Sequence, residues 1–164
     1  MTESANLNLP PDWKARPACN GDAEAIRAVV FDALLEYGLA PDPTGTDADL
    51  DDIEHHYWRN GDWFVVIENA DGEIVGSIAL HRHDSDTAEL RKMYLARPAR
   101  GQGIGKWMLE QALAEARQRG YRRVFLGTAT VLREAVGLYR RYGFKPITAD
   151  AVAPRCDLMM ALDL

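Results

Sequence analysis

Arg100 to Lys106 reads RGQGIGK, three glycines and two cations in seven residues, directly ahead of a long helical pattern. Glycines let successive backbone N–H groups turn inward, and the start of a following helix adds a partial positive charge. A nucleoside triphosphate, a dinucleotide, another phosphate-bearing group and a plain flexible turn compete as explanations. A Walker A loop needs a hydroxyl after its lysine to bind magnesium, and Trp107 stands there. The dinucleotide fingerprint needs G-x-G-x-x-G, whereas these glycines fall at 101, 103 and 105. What survives is an anion cradle.

The surroundings favour that reading over a turn. Between Arg91 and Lys106 there are five cations (Arg91, Lys92, Arg97, Arg100, Lys106) and no carboxylate, inside a chain of formal charge −6. A local basic cluster on an acidic protein fits a polyanionic small ligand, while the overall charge argues against nonspecific nucleic-acid or anionic-membrane binding.

The chain has 164 residues and is 47% apolar, enough for one core, and residues 13 to 164 are expected to form a single domain. Residues 1 to 12 read as a loose lead-in with neither a basic n-region nor an apolar h-region. With no membrane-length apolar run, a soluble cytoplasmic protein is expected. Cys19 and Cys156 are read as ordinary thiols.

Before the loop, Ile26, Val29, Val30, Ala33, Leu34 and Tyr37 recur at helical steps and Gly38 ends the helix. Thr46 with Asp49 resembles a capping box opening a second helix through Leu50, Ile53, Tyr57 and Trp58. The acidic run DADLDDIE at 47 to 54 is read as first-turn carboxylates favoured by the helix dipole. WFVVIE and EIVGSIALHRH flank the turn pair Asp71-Gly72 as a hairpin, and AELRKMYL follows as a third strand. After the loop come a helix over 104 to 119, the strand RRVFLGTAT, a short helix LREAVGLYRRYGF, and closing strands FKPIT and CDLMMALDL. The sum is an α+β domain around a mixed, mostly antiparallel sheet.

The pattern R-x-x-G-x-G (Arg100, Gly103, Gly105), set after MYLARP and before a long helix, resembles the acyl-CoA-binding motif of the GNAT N-acetyltransferase superfamily. LYRRYGF resembles that superfamily's second signature, a helix carrying a tyrosine ahead of Gly-Phe. The resemblance implies a GNAT-like fold of about six to seven strands and about four helices, with acetyl-CoA as cosubstrate and no metal. It implies that backbone groups of Met93, Tyr94 and Leu95 pair with the pantetheine arm as if it were an added strand. The N–H groups of Gly101, Gln102, Gly103, Ile104, Gly105 and Lys106, with the Arg100 and Lys106 side chains nearby, are then expected to hold the pyrophosphate.

Acetyl transfer to an amine needs a neutral amine, stabilisation of an oxyanion and a proton for the departing thiolate. Tyr139 matches the superfamily's general acid, although its place on a stripe with Leu132 and Val136 also suits a core residue. Tyr142, elsewhere on that helix, serves as a negative control. Where some members carry a glutamate base this chain has Gly127, and where an asparagine often assists the cofactor it has Leu132. Glu89 is then the best remaining base, with strand alternation placing Glu89, Arg91, Met93 and Leu95 on one face. His81 and His83 form a second alternating pair that could act through water or sit idle on the surface. Neither they nor His55-His56 have a completing metal-ligand set.

The expected acceptor is a small-molecule amine or amino acid, with Glu36, Tyr37 and Asp42 as guesses for its binding side. A protein N-terminal or lysine acetyltransferase, and a noncatalytic acyl-CoA sensor, remain open. A homodimer is compatible with the pattern.

Overall fold

The computed structural model describes residues 9–148 and 153–164. The elements in chain order are β1 (Lys14–Pro17), α1 (Ala23–Glu36), α2 (Ile53–His56), β2 (Trp63–Glu68), β3 (Ile74–Arg82) and β4 (Thr87–Leu95). They continue with α3 (Ile104–Gln118), β5 (Arg123–Thr128), α4 (Arg133–Arg141), β6 (Lys145–Ile147) and β7 (Leu158–Asp163). The strands make one seven-stranded sheet in the order β1-β2-β3-β4-β5-β7-β6. The lead-in residues 1 to 8 lie outside the described residues, and Leu9 is buried in the core beneath α3.

Each face of the sheet is covered. Ile26, Val30 and Leu34 of α1 pack with Tyr57, Phe64 and Val66 on one side. Met108, Leu109, Ala112 and Ala116 of α3 pack with Ile78, Leu80 and Val124 on the other, joined there by Val136 and Tyr139 of α4. These are the helical stripes read from the sequence, buried because one apolar face of each helix must leave water.

All strand neighbours are antiparallel except β4 and β5, which α3 connects as a crossover. That pair is short: it runs from Thr87 opposite Arg123 to Glu89 opposite Phe125 and then stops. Beyond Glu89 the two strands part, and β5 continues its ladder with β7 as far as Thr128 opposite Leu158. The second half of β4 therefore has a ladder on its β3 side alone.

A bulge changes the phase of β4 just past the parting point. The β3–β4 register shifts between Ser77 and Ala79, Lys92 has φ +53°, and the Ser77 hydroxyl donates to the Lys92 carbonyl at 2.6 Å. Ala88 and Leu90 before the bulge, and Met93 and Leu95 after it, all pack toward α3, while Tyr94 packs toward α1. The expected single face for Glu89, Arg91, Met93 and Leu95 is thus corrected: Glu89 and Arg91 point to the α1 side. Simple alternation fails because an extra residue resets it.

The expected helix from Thr46 to Trp58 is also corrected. The segment is a 3-10 turn at Ala48–Asp51, the four-residue α2, and a second 3-10 turn at Trp58–Asn60. Asp52, not Thr46, caps α2 by accepting from the His55 N–H. Asp47 and Asp49, read as first-turn carboxylates favoured by the helix dipole, instead turn inward onto Lys92. Asp47 is 1% exposed and accepts two hydrogen bonds from Arg155, at 2.6 and 2.8 Å, and one from Lys92 at 2.6 Å.

Desolvation pushes the Asp47 carboxyl up, but hydrogen bonds from Arg155 and Lys92 outweigh it and hold the group well below the ordinary carboxylate range. A depressed folded pKa contributes stability that is complete above the unfolded value of about 3.9 and is lost as pH falls through the folded value. Asp47→Asn leaves Arg155 without its anion and Lys92 with Asp49 alone, and is expected to cost about 3 kcal/mol. Thermal melts between pH 3 and 7 check this: native stability should fall steeply below pH 4, and the variant should start lower with a shallower decline.

Candidate active site

A cavity of about 920 Å³ fills the gap where β4 and β5 part. Its walls are the free half of β4, the glycine loop with the start of α3, the end of β5, α4, and the C-terminal end of α1. One opening in the sheet thus gathers elements far apart in sequence.

The glycine loop is shaped by backbone, not side chains. Gly101 and Gly103 have φ of +76° and +81°, the left-handed region that penalises any Cβ. Gly103 is the N-cap of α3 with no side-chain cap, and N–H groups of residues 101 to 106 have no hydrogen-bond partner among the described residues. Gly105 differs, because its φ is ordinary and a Cβ there meets Leu95 Cδ1 at 3.7 Å and Leu138 Cδ2 at 3.9 Å. The resulting row of free N–H groups at a helix start is an anion site in physical terms.

Lys106, Gly101, Gly103, Ile104 and Gly105 line the cavity with Arg100, whereas Gln102 is exposed and donates to the Pro98 carbonyl at 3.2 Å. Arg100 donates through Nε to the Leu95 carbonyl at 3.0 Å and lies 5.8 Å from the Tyr37 ring centre. Met93, Tyr94 and Leu95 line the cavity along β4.

Glu36 does not line the cavity. It pairs with Arg100 and, at 3.2 Å, with Arg97, so it sits against the basic loop, while Tyr37 lines the cavity beside Arg100. A pyrophosphate drawn to Arg100 has to compete with this carboxylate. Glu36→Gln should therefore tighten CoA binding by about two- to five-fold, the range of an exposed ion pair. Titration calorimetry with CoA checks it, and weaker binding would show that Glu36 positions Arg100 productively.

Tyr139, on α4, is 6% exposed. Among the described residues its hydroxyl has one hydrogen-bond partner, the Met93 Sδ at 3.7 Å, and it faces the cavity where α4 meets β4. Burial, with Tyr94 nearby, pushes its pKa well above the ordinary tyrosine value, so the phenol keeps its proton at neutral pH. Tyr94 is itself pushed up to about 12, chiefly by burial. Tyr142 lies off the cavity, donating to Glu110 of α3.

Gly127 lies on the exposed cavity side of β5, with the β7 side close by. A Cβ there would stand 3.0 Å from Met159 Sδ and 3.4 Å from Cys156 Sγ, so these sulfurs occupy the space a longer side chain would need. Glu89 lines the cavity at the last paired rung of β4 and β5, and accepts from Arg91 Nε. His83 also lines the cavity, edge-on to Phe125 at 5.1 Å, while the His81 Nδ1 is bound to Asp62 at 2.7 Å. Asp42 is outside the cavity, with its carboxylate accepting from the Thr46 N–H at 2.8 Å.

Sequence reasoning missed the charged wall on the α1 side: Asp47, Asp49, Lys92 and Arg155. Tyr57 donates to Asp49, Lys92 Nζ lies 3.2 Å from it, and Arg155 reaches Asp47 across 108 positions of chain. No local spacing encodes such a contact.

An open sheet whose parted strands flank a helix-start anion site, with a buried phenol at the junction, defines an acyl-CoA-dependent transferase. The acetyltransferase (GNAT) family pattern matches residues 30–144. The uncharacterized N-acetyltransferase YjgM of Escherichia coli K12 is 37% identical over 131 residues, 77% of this chain and 78% of that protein. The aminoalkylphosphonate N-acetyltransferase of Salmonella typhimurium LT2 is 32% identical over 146 residues, 84% of this chain and 88% of that protein. In fold, the GNAT superfamily phosphinothricin acetyltransferase of Sinorhizobium meliloti, solved in complex with AcCoA, superposes with a TM-score of 0.71. It covers 93% of this chain and 89% of that one at 20% identity. The chain belongs to the GNAT acetyltransferase family and is an acetyl-CoA-dependent N-acetyltransferase.

Proposed function

We propose that this cavity transfers an acetyl group from acetyl-CoA to the primary amine of a small molecule, with Tyr139 as general acid and Glu89 as base. The observation that carries the reading is that the Tyr139 hydroxyl, the Glu89 carboxylate and the free N–H groups of the glycine loop all border one gap in the sheet. The thioester supplies the activated acetyl group. The glycine loop with Arg100 and Lys106 binds the pyrophosphate, and the unpaired edge of Met93 to Leu95 binds the pantetheine arm.

Glu89 takes the ammonium proton, directly or through one water, leaving the nitrogen lone pair free to attack. The new N–C bond forms as the C–S bond breaks, the second nitrogen proton passes to solvent, and Tyr139 donates a hydrogen bond to the departing sulfur. Against ordinary pKa values near 10 for tyrosine and 8.5 for a thiol, full proton transfer is uphill by roughly 2 kcal/mol, and burial of the phenol raises that cost. Tyr139 thus acts by donating to the thiolate as charge develops, with solvent completing its protonation.

A small acceptor is favoured because Arg155 and Asp47 join the loop before β7 to the loop after α1 across the acceptor side. The relatives named for aminoalkylphosphonate and phosphinothricin also act on small amines. The test compares kcat/KM for free amines with that for peptides bearing a free N-terminus or lysine. Free amines should win by at least about ten-fold, and a reversed order identifies a protein acceptor.

A further inference from the structure

The acceptor side of the cavity carries cations that acetyl transfer itself does not require. Arg91, Lys92 and Arg155 all line it, in a chain of net charge −6. Two of them are neutralised within the protein: Asp47 accepts from both Arg155 and Lys92, and Lys92 also lies 3.2 Å from Asp49. Arg91 is different. It gives its Nε–H to Glu89, lies beside the buried Tyr57, and keeps 34% of its side chain exposed. Its terminal NH2 groups make no further hydrogen bond to a carboxylate among the described residues.

We infer that Arg91 anchors an anionic group, a carboxylate or phosphonate, carried by the acceptor amine; this rests on the acetyl-transfer reading above. A guanidinium offers two parallel N–H donors to such a group, a geometry that lysine cannot copy. Glu89 and Arg91 are two residues apart on β4 and joined at their heads, so the cavity wall presents a carboxylate beside a guanidinium. A zwitterion matches that pair, with its ammonium toward Glu89 and its anion toward Arg91. An amine without an anion leaves Glu89 as the only carboxylate beside the half-dry guanidinium among the described residues and holds it in that ion pair. An arriving anion draws the Arg91 fork away and releases Glu89 to accept the amine proton. Recognition and proton removal are thereby linked through one side chain.

The experiment uses the full chain with acetyl-CoA and matched acceptors: aspartate, β-alanine and 2-aminoethylphosphonate against β-alaninamide, ethanolamine and ethylamine. The native protein should favour anionic amines in kcat/KM by about 10- to 100-fold, the worth of one hydrogen-bonded charge. Arg91→Met should collapse that ratio toward one, and Arg91→Lys should keep part of it. CoA affinity and the melting temperature, measured on each variant, separate this from misfolding. The split between carboxylate and phosphonate acceptors tells which anion fits. Equal use of neutral amines by the native protein, an unchanged ratio in Arg91→Met, or neutral amines alone as substrates would each overturn the inference and leave acetyl transfer standing. No turnover with any amine would overturn both.

Discussion

Tyr139→Phe should lower kcat by about 100-fold while leaving CoA affinity within two-fold, the lower end of what a positioned acid supplies. The hydroxyl is buried and its one hydrogen-bond partner among the described residues is a thioether at 3.7 Å, so it makes little contribution to the fold. Removing it should therefore leave the melting temperature unchanged or raise it slightly. A residue kept only for packing behaves in the opposite way, with stability moving and turnover holding. Tyr142→Phe is the internal control, because that hydroxyl is engaged with Glu110 away from the cavity. It should change kcat by less than about two-fold. Equal losses in both variants would remove Tyr139 from the mechanism.

The second large effect is expected in the glycine loop, where two glycines matter for different reasons. At Gly103 a valine must adopt φ near +81°, which costs a branched residue more than the roughly 1 to 2 kcal/mol of an ordinary one. The loop will relax and swing the N–H groups at the start of α3 out of line. At Gly105 the backbone is ordinary and a methyl group has room beside Leu95 and Leu138, so the larger valine intrudes on the cavity without straining the loop. Losing one or two charge-assisted hydrogen bonds weakens CoA binding by about 10- to 100-fold. Gly103→Val should lose stability and affinity together, Gly105→Val mainly affinity. Unchanged CoA affinity in both variants, measured by calorimetry, would contradict the anion cradle.

The glycine-loop side of the cavity was legible from sequence because its information is local. Glycine spacing, the helix that follows and the tyrosine ahead of Gly143 all lie within short windows, and each appears in the fold where periodicity placed it. Six of the seven strands also followed from alternation and the Asp71-Gly72 turn, and the helices α1, α3 and α4 from their stripes; β1, the four residues Lys14–Pro17, carries too short a pattern to be read. What misled was the interruption of a pattern: the bulge at Lys92 reversed the facing of Glu89 and Arg91, and inward-turned aspartates broke the helix read from Thr46. The acceptor wall was illegible for a further reason. Asp47, Lys92 and Arg155 come together from the loop after α1, from β4 and from the loop before β7, and a carboxylate near a helix start looks the same in sequence whether it faces water or a buried lysine.

The central claim, acetyl transfer to a small amine within the parted strands, is tested most directly by following both products of one reaction. Purified protein is mixed with acetyl-CoA and the amine panel, free thiol is measured over time, and acetylated amine is quantified by mass. One N-acetylated amine should appear for each CoA thiol released, at a rate that Tyr139→Phe cuts and Tyr142→Phe spares. Thiol release with no acetylated amine, or tight acetyl-CoA binding with no thiol release on any amine, would contradict it.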